Sequence, residues 1–113
     1  MIPEIYANDG VASTHETLST ITSSTGFTSS KIAPTTGLYA GRKARMALIS
    51  VEVDDMRFLL DGDDPTVTGG ADPGTLLVSG GSYKIVGENN IENFRCINAV
   101  ASNGTIVRGQ FFF

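Results

Sequence analysis

The chain has little of the equipment that bond-making chemistry uses. It carries one His, one Cys and no Trp in 113 residues. A single Cys96 excludes an internal disulfide, so the fold cannot rest on a cysteine framework. Cys96 lies in the apolar stretch Phe94-Arg95-Cys96-Ile97, which suits a buried, inert thiol. Zinc is excluded for want of Cys and His ligands. No apolar run approaches the ~20 residues of a membrane helix. Met1-Ile2-Pro3-Glu4 places an acid where a signal peptide wants bases, and no apolar core follows, so the chain is expected to be soluble and made without Sec-type export. Eight basic residues face twelve acidic ones, a net charge of −4. Nucleic-acid affinity draws on a Lys and Arg surplus that is missing here.

What is present is short apolar runs separated by Gly, Pro, Asp and Asn. A chain of this length is one domain, since compact domains commonly run ~100–150 residues. The first ten residues hold Ile2, Ile5 and Tyr6 with little local reason to fold. From Ser13 to Ser30, twelve of eighteen residues are Ser or Thr. One short strand is expected near 16–22, anchored by Leu18 and Ile21, in an otherwise extended leader reaching Gly41.

From Lys43 the texture changes. Arg45 to Val53 reads as a strong strand, with Ala47, Ile49, Val51 and Val53 on one face. Asp54-Asp55 reads as a turn into a second strand carrying Met56, Phe58 and Leu60, the pair forming a hairpin. Asp61 to Thr66 is dense turn chemistry. Leu76 to Val78 and Tyr83 to Val86 are further strands. Ile91, Phe94, Ile97 and Val100 recur every three residues, yet the β-rich neighbourhood favours a strand from about 93, with a bulge reconciling the spacing. Asn103-Gly104 is the strongest short hairpin signal. It leads into the last strand, Thr105 to Phe113. Six or seven short strands, no convincing helix and thirteen glycines imply an all-β antiparallel sandwich or jelly-roll-like fold over 42–113, with an extended N-terminal arm over 1–41.

Candidate chemistry is sparse. His15, between Thr14 and Glu16, could be imagined in a triad, but triads need residues converging from separate elements. Asp61, Asp63 and Asp64 around Gly62 resemble a calcium loop superficially; no closing Glu stands twelve residues on. The glycine pairs form no phosphate-binding pattern. No catalytic, metal or cofactor-binding residue is therefore assigned. The apolar termini need another explanation. Ile2, Ile5, Tyr6, Phe112 and Phe113 are candidates for contact with a second chain, because exposed apolar groups mark interfaces.

The stretch from Gly41 to Phe113 resembles a family of small structural proteins encoded in tailed-phage morphogenesis clusters. The resemblance rests on the order of a basic-plus-aliphatic strand (Arg45-Met46-Ala47-Leu48-Ile49), a turn segment (Met56 to Gly62, then Asp64-Pro65-Thr66), a Gly-led strand after Gly80-Gly81, the Ile91 to Ile97 segment and a terminal strand. An insertion from Thr68 to Thr75 departs from the pattern. What the resemblance implies is a non-enzymatic virion component, best matched to a capsid decoration (cement) protein. It would form a homo-oligomer, a trimer being favoured, and bind the major capsid protein between capsomers at the capsid surface, after synthesis in the host cytoplasm. A head–tail or tail component, or a carbohydrate-binding module using Tyr6, Tyr39 or Tyr83, are the alternatives. No nucleic acid, membrane or cofactor is implied.

Overall fold

The computed structural model describes residues 12–19 and 21–113. Their elements are β1 (Ala12–Ser19), α1 (Ser29–Ile32), β2 (Met46–Glu52), β3 (Met56–Leu59), β4 (Thr75–Leu77), β5 (Ser82–Val86), α2 (Glu88–Asn93), β6 (Arg95–Asn98) and β7 (Ile106–Phe112). The strands form two antiparallel sheets, one ordered β1-β7-β2-β5 and the other β4-β3-β6. The described residues are all-β with two short helices.

Strand β2 explains the four-stranded sheet. β-Branched residues fit a pleated surface, and alternate side chains point to opposite faces. Ala47, Ile49 and Val51 are all buried. In register, Ala47 lies between Phe111 and Ile85, and Val51 lies opposite Val107. Met56 and Phe58 of β3 and Cys96 of β6 join these residues in one hydrophobic cluster, so both sheets contribute to a single core.

The described part of the leader is packed into that core and does not behave as an arm. β1 pairs with β7 over most of its length. Leu18, Ile21, Phe27 and Ile32 all belong to the core cluster. Ser and Thr tolerate extended backbone, and these four apolar side chains supply the burial. Past β1, the chain moves to the other sheet: Thr25 exchanges two backbone hydrogen bonds with Cys96 (3.0 and 2.8 Å), and Asn98 N donates to Ile21 O at 2.9 Å. Phe27 then stacks on Phe94 at 4.5 Å and meets Phe111 edge-on at 4.7 Å. Gly109 makes room for it, since a Cβ there would lie 3.2 Å from the Phe27 ring. Glu16 secures the next turn: its carboxylate accepts from Thr28 N at 2.8 Å and from the Thr28 hydroxyl, at the start of α1. Residues 1–10, with Ile2, Ile5 and Tyr6, lie outside the described residues.

Two expected hairpins are not hairpins. β2 and β3 belong to different sheets, as do β6 and β7. Both Asp54-Asp55 and Asn103-Gly104 are links that cross between sheets. The first crossing is made by Val53, at φ 75, with Asp54 N donating back to Glu52 O at 2.9 Å. This is the rare, strained form of γ-turn. It takes Val53 off the buried face of β2 and leaves it 64% exposed. The threefold recurrence of Ile91, Phe94 and Ile97 also has a different cause from a bulge. Ile91 is buried on α2, Phe94 follows the helix, and Ile97 lies in β6, so the spacing spans a helix–strand junction.

Three crossing links meet at Asp54 and Asp55. The Asp55 carbonyl accepts from Ala99 N at 3.0 Å and from the Thr105 hydroxyl at 2.7 Å. The Asp55 carboxylate accepts from Ser79 N at 2.8 Å, and the Asp54 carboxylate from Gly104 N at 2.9 Å. These bonds bind the β2–β3, β4–β5 and β6–β7 links into one corner. Asn98, fully buried beside it, donates its side-chain amide to Asn103 O at 2.8 Å.

Thr105 has no exposed surface. Thr105→Val keeps its shape and deletes the bond to Asp55, and is expected to cost ~1–2 kcal/mol in urea unfolding, while Thr105→Ser costs clearly less. Equal losses in the two variants would mean that the hydroxyl bond is not what matters. At Val53 the expectation has the opposite sign. Val53→Asn, a residue that tolerates positive φ, should leave stability unchanged or raise it by up to ~1 kcal/mol. A fall of that size in the urea midpoint would refute backbone strain at this position.

Candidate functional site

A shallow concavity lies on the outer face of the four-stranded sheet. It is an open depression of about 410 Å³, lined by His15 and Thr17 of β1, Arg108 and Gln110 of β7, and Leu48 and Ser50 of β2 among others. Strand pairing builds it. His15, Gln110 and Leu48 stand across one row, and Thr17, Arg108, Ser50 and Ser82 across the next. Arg108 donates to Glu52 at 2.7 Å and to the Thr17 hydroxyl at 3.3 Å. An exposed pair of this kind contributes ~0–1 kcal/mol, and it leaves Arg108 already engaged.

The depression does not assemble a nucleophile. His15 is exposed and lies opposite Gln110. Glu16, its neighbour in sequence, occupies the opposite face of β1, where it holds Thr28. Adjacent residues on a strand point apart, so the Thr14-His15-Glu16 run cannot act as a triad. The acidic turn is likewise occupied by local bonding. Asp63 N donates to the Asp61 carboxylate at 3.1 Å, and the Ser24 hydroxyl to Asp64 at 2.7 Å. Among the described residues no three His, Cys, Asp or Glu side chains are grouped to hold a metal ion.

The aromatic candidates sit apart from the depression. Tyr39 stacks on Phe113 with ring centres 5.2 Å apart, and the Arg42 guanidinium lies 5.4 Å from the Tyr39 ring. Tyr83, 40% exposed, packs against Phe58 at 5.2 Å. A flat aromatic platform on the groove, which sugar stacking would use, is missing among the described lining residues. Phe112 and Phe113 are 1% and 2% exposed, so neither presents a surface to a second chain in this structure. Phe113 belongs to the core cluster, an outcome of the chain's own packing.

Exposed apolar side chains instead gather on turns and edge strands. Leu38 is the most exposed at 88%, followed by Val53, Val86, Val78, Val100, Leu76 and Tyr83. β4 and β5 are each one of the two edge strands of their sheets. Sequence reading overlooked Leu38 and Val100. Gly37-Leu38-Tyr39 and the Asn103-Gly104 turn carried the available signal, a large apolar residue within turn chemistry.

The chain matches no protein-family model, no curated protein and no solved structure. No described helix is long and apolar enough to cross a membrane.

The Cys96 thiol is buried, and burial pushes its pKa from 9.0 up to about 12. The unfolded chain releases this proton near pH 9, whereas the native state holds it. The contribution to stability is therefore complete below pH 9 and declines as pH rises toward 12. Native protein should resist thiol-labelling reagents at about pH 8 and react once unfolded in urea. Cys96→Ala should lose less stability than wild type between about pH 8 and about pH 10.5. Fast labelling of the native state would contradict the buried position.

Proposed function

We propose that the chain is a non-enzymatic structural component of a tailed-phage virion, most specifically a capsid decoration (cement) protein. In this reading the two sheets form a sandwich of jelly-roll-like character that binds the major capsid protein between capsomers as a homo-oligomer, with a trimer favoured. It resides on the capsid surface after synthesis in the host cytoplasm. The observation that carries the reading is the placement of the large exposed apolar groups. They stand on turns and outer strands at the rim of one hydrogen-bonded body, as adhesive contacts would.

The order of elements from Arg45 to the terminal strand supports the same family-level resemblance. A head–tail component would use the same rim contacts at another place on the particle. Of the two described tyrosine candidates, only Tyr83 supports carbohydrate binding, since Tyr39 is engaged by Phe113 and Arg42. Burial of Phe112 and Phe113 moves the proposed interface to Ile2, Ile5 and Tyr6 and to the exposed rim. An arm of this kind can add a strand to a neighbouring sheet, and many weak contacts then sum over a symmetric shell.

Deleting residues 1–10 should leave a folded domain that binds assembled shells poorly in co-sedimentation. Electron cryomicroscopy of particles should show the protein between capsomers. Density confined to tail or portal would overturn the cement role, and unchanged shell binding of the truncated protein would overturn the arm.

A further inference from the structure

Strand β2 runs from Met46 to Glu52 and so separates two ends of the molecule by roughly 20 Å. The ends differ in charge. At the Met46 end, residues 34–42 form a closed loop in which Gly41 N donates to Pro34 O at 3.0 Å and Arg42 N to Tyr39 O at 3.0 Å. Tyr39 anchors it on Phe113. Leu38 projects from this loop, 88% exposed. Arg42 lies over Tyr39, Arg45 reaches Phe113 O at 3.5 Å, and Glu88 is the one acid lining the hollow they share with Gly41 and Lys43, which leaves cations in excess there. Lys43 is paired with Glu92 at 3.5 Å.

At the other end stand the three links tied at the Asp54–Asp55 corner. Each carries an exposed valine: Val53, Val78 and Val100 are 64%, 51% and 50% exposed. Asp54 and Asp55 accept backbone N–H groups and have no Lys or Arg ion-pair partner among the described residues. A carboxylate has about four acceptor sites, so each retains capacity for a second donor.

We infer that copies of the chain associate end to end, with Leu38 of one copy seated among Val53, Val78 and Val100 of the next and Arg42 and Arg45 facing Asp54 and Asp55. The occupant is a second copy because the two ends complement each other in both respects, an apolar knob with cations against an apolar patch with anions. Both ends are also held in fixed shape by hydrogen bonds, which lowers the ordering cost of docking. The contact is heterologous, so it closes into a ring or extends as a chain according to the rotation per copy. The inference rests on the self-assembling part of the function proposed above and does not require the shell.

The test is sedimentation of the full chain up to about 1 mM, in about 50 mM and about 500 mM NaCl. Association should rise with concentration and weaken roughly tenfold in the higher salt. Leu38→Asp and the pair Arg42→Glu/Arg45→Glu should each weaken it at least about tenfold, with the urea midpoint unchanged. Val53→Asn should weaken association without lowering stability, which a merely structural residue would not do. Mixing the Arg42→Glu/Arg45→Glu protein with a Val78→Lys/Val100→Lys protein should restore a one-to-one complex, because the intact Leu38 end of the second meets the intact valine and aspartate corner of the first. A monomer under all conditions overturns the inference and leaves shell binding to be judged by co-sedimentation. An assembly that survives both Leu38→Asp and the double arginine variant, yet is lost when residues 1–10 are deleted, also overturns it and assigns the contact to the N-terminal segment. Intact self-association without shell binding would count against the cement role alone.

Discussion

A chain that leaves one sheet to enter another must interrupt its ladder, and each interrupted peptide group that is buried needs a new partner. In this protein three such interruptions fall at one end, and two adjacent aspartates meet them. Asp55 serves the β4–β5 and β6–β7 links at once, through its carboxylate to Ser79 and its carbonyl to Ala99 and Thr105. Asp54 adds Gly104. A charged acceptor makes the stronger kind of hydrogen bond, and a buried donor left unmet costs ~1–3 kcal/mol. The corner thereby fixes how the two sheets meet, and the strained γ-turn at Val53 is tolerated because everything around it is already tied.

The second tie is apolar and comes from the leader. Burying a phenylalanine contributes ~1.5–3 kcal/mol, and an aromatic pair adds ~0.5–1.5 kcal/mol. Phe27 makes two such pairs, with Phe94 and with Phe111, and so joins the segment between β1 and α1 to the residue that precedes β6 and to β7. The exposed Arg108–Glu52 pair, at ~0–1 kcal/mol, is minor beside it. The leader is therefore a structural part of the domain. Its backbone exchange with Cys96 covers one side of β6, and the same packing keeps the thiol away from solvent.

Strand identity was legible wherever residues alternated against an apolar core. The alternation puts Ala47, Ile49 and Val51 on one face, and in the structure that face is buried. Strand pairing was less legible. Asp54-Asp55 and Asn103-Gly104 are good turn sequences, but turn chemistry reports that the chain reverses and says nothing about which sheet it enters next. Val53 continued the alternation of β2 perfectly and was displaced by a backbone torsion that no pattern of residue types encodes. The leader was misread for a related reason. Its Ser and Thr content hides four apolar anchors spaced too widely to show a period, and only the folded core reveals their common destination. The exposed rim was hardest to see, because exposure belongs to the assembled surface and not to residue type.

Net charge bears on how such a molecule would assemble. At −4 the copies repel one another at a distance, which disfavours association between free copies. At short range the Debye length of ~8 Å at physiological salt screens that overall repulsion, and local contacts of opposite sign decide the outcome. A contact built from one leucine, three valines and a few half-screened charges is weak on its own. A lattice that presents many sites close together raises the effective concentration, so a contact populated only at high concentration in solution would be well occupied on an assembled surface. Under the proposed role, weakness of the single contact is the property that would confine assembly to the completed particle. A much greasier rim would trade that timing for aggregation of the free chain, which is a physical reason for exposed apolar groups that are few, separated and set beside charge.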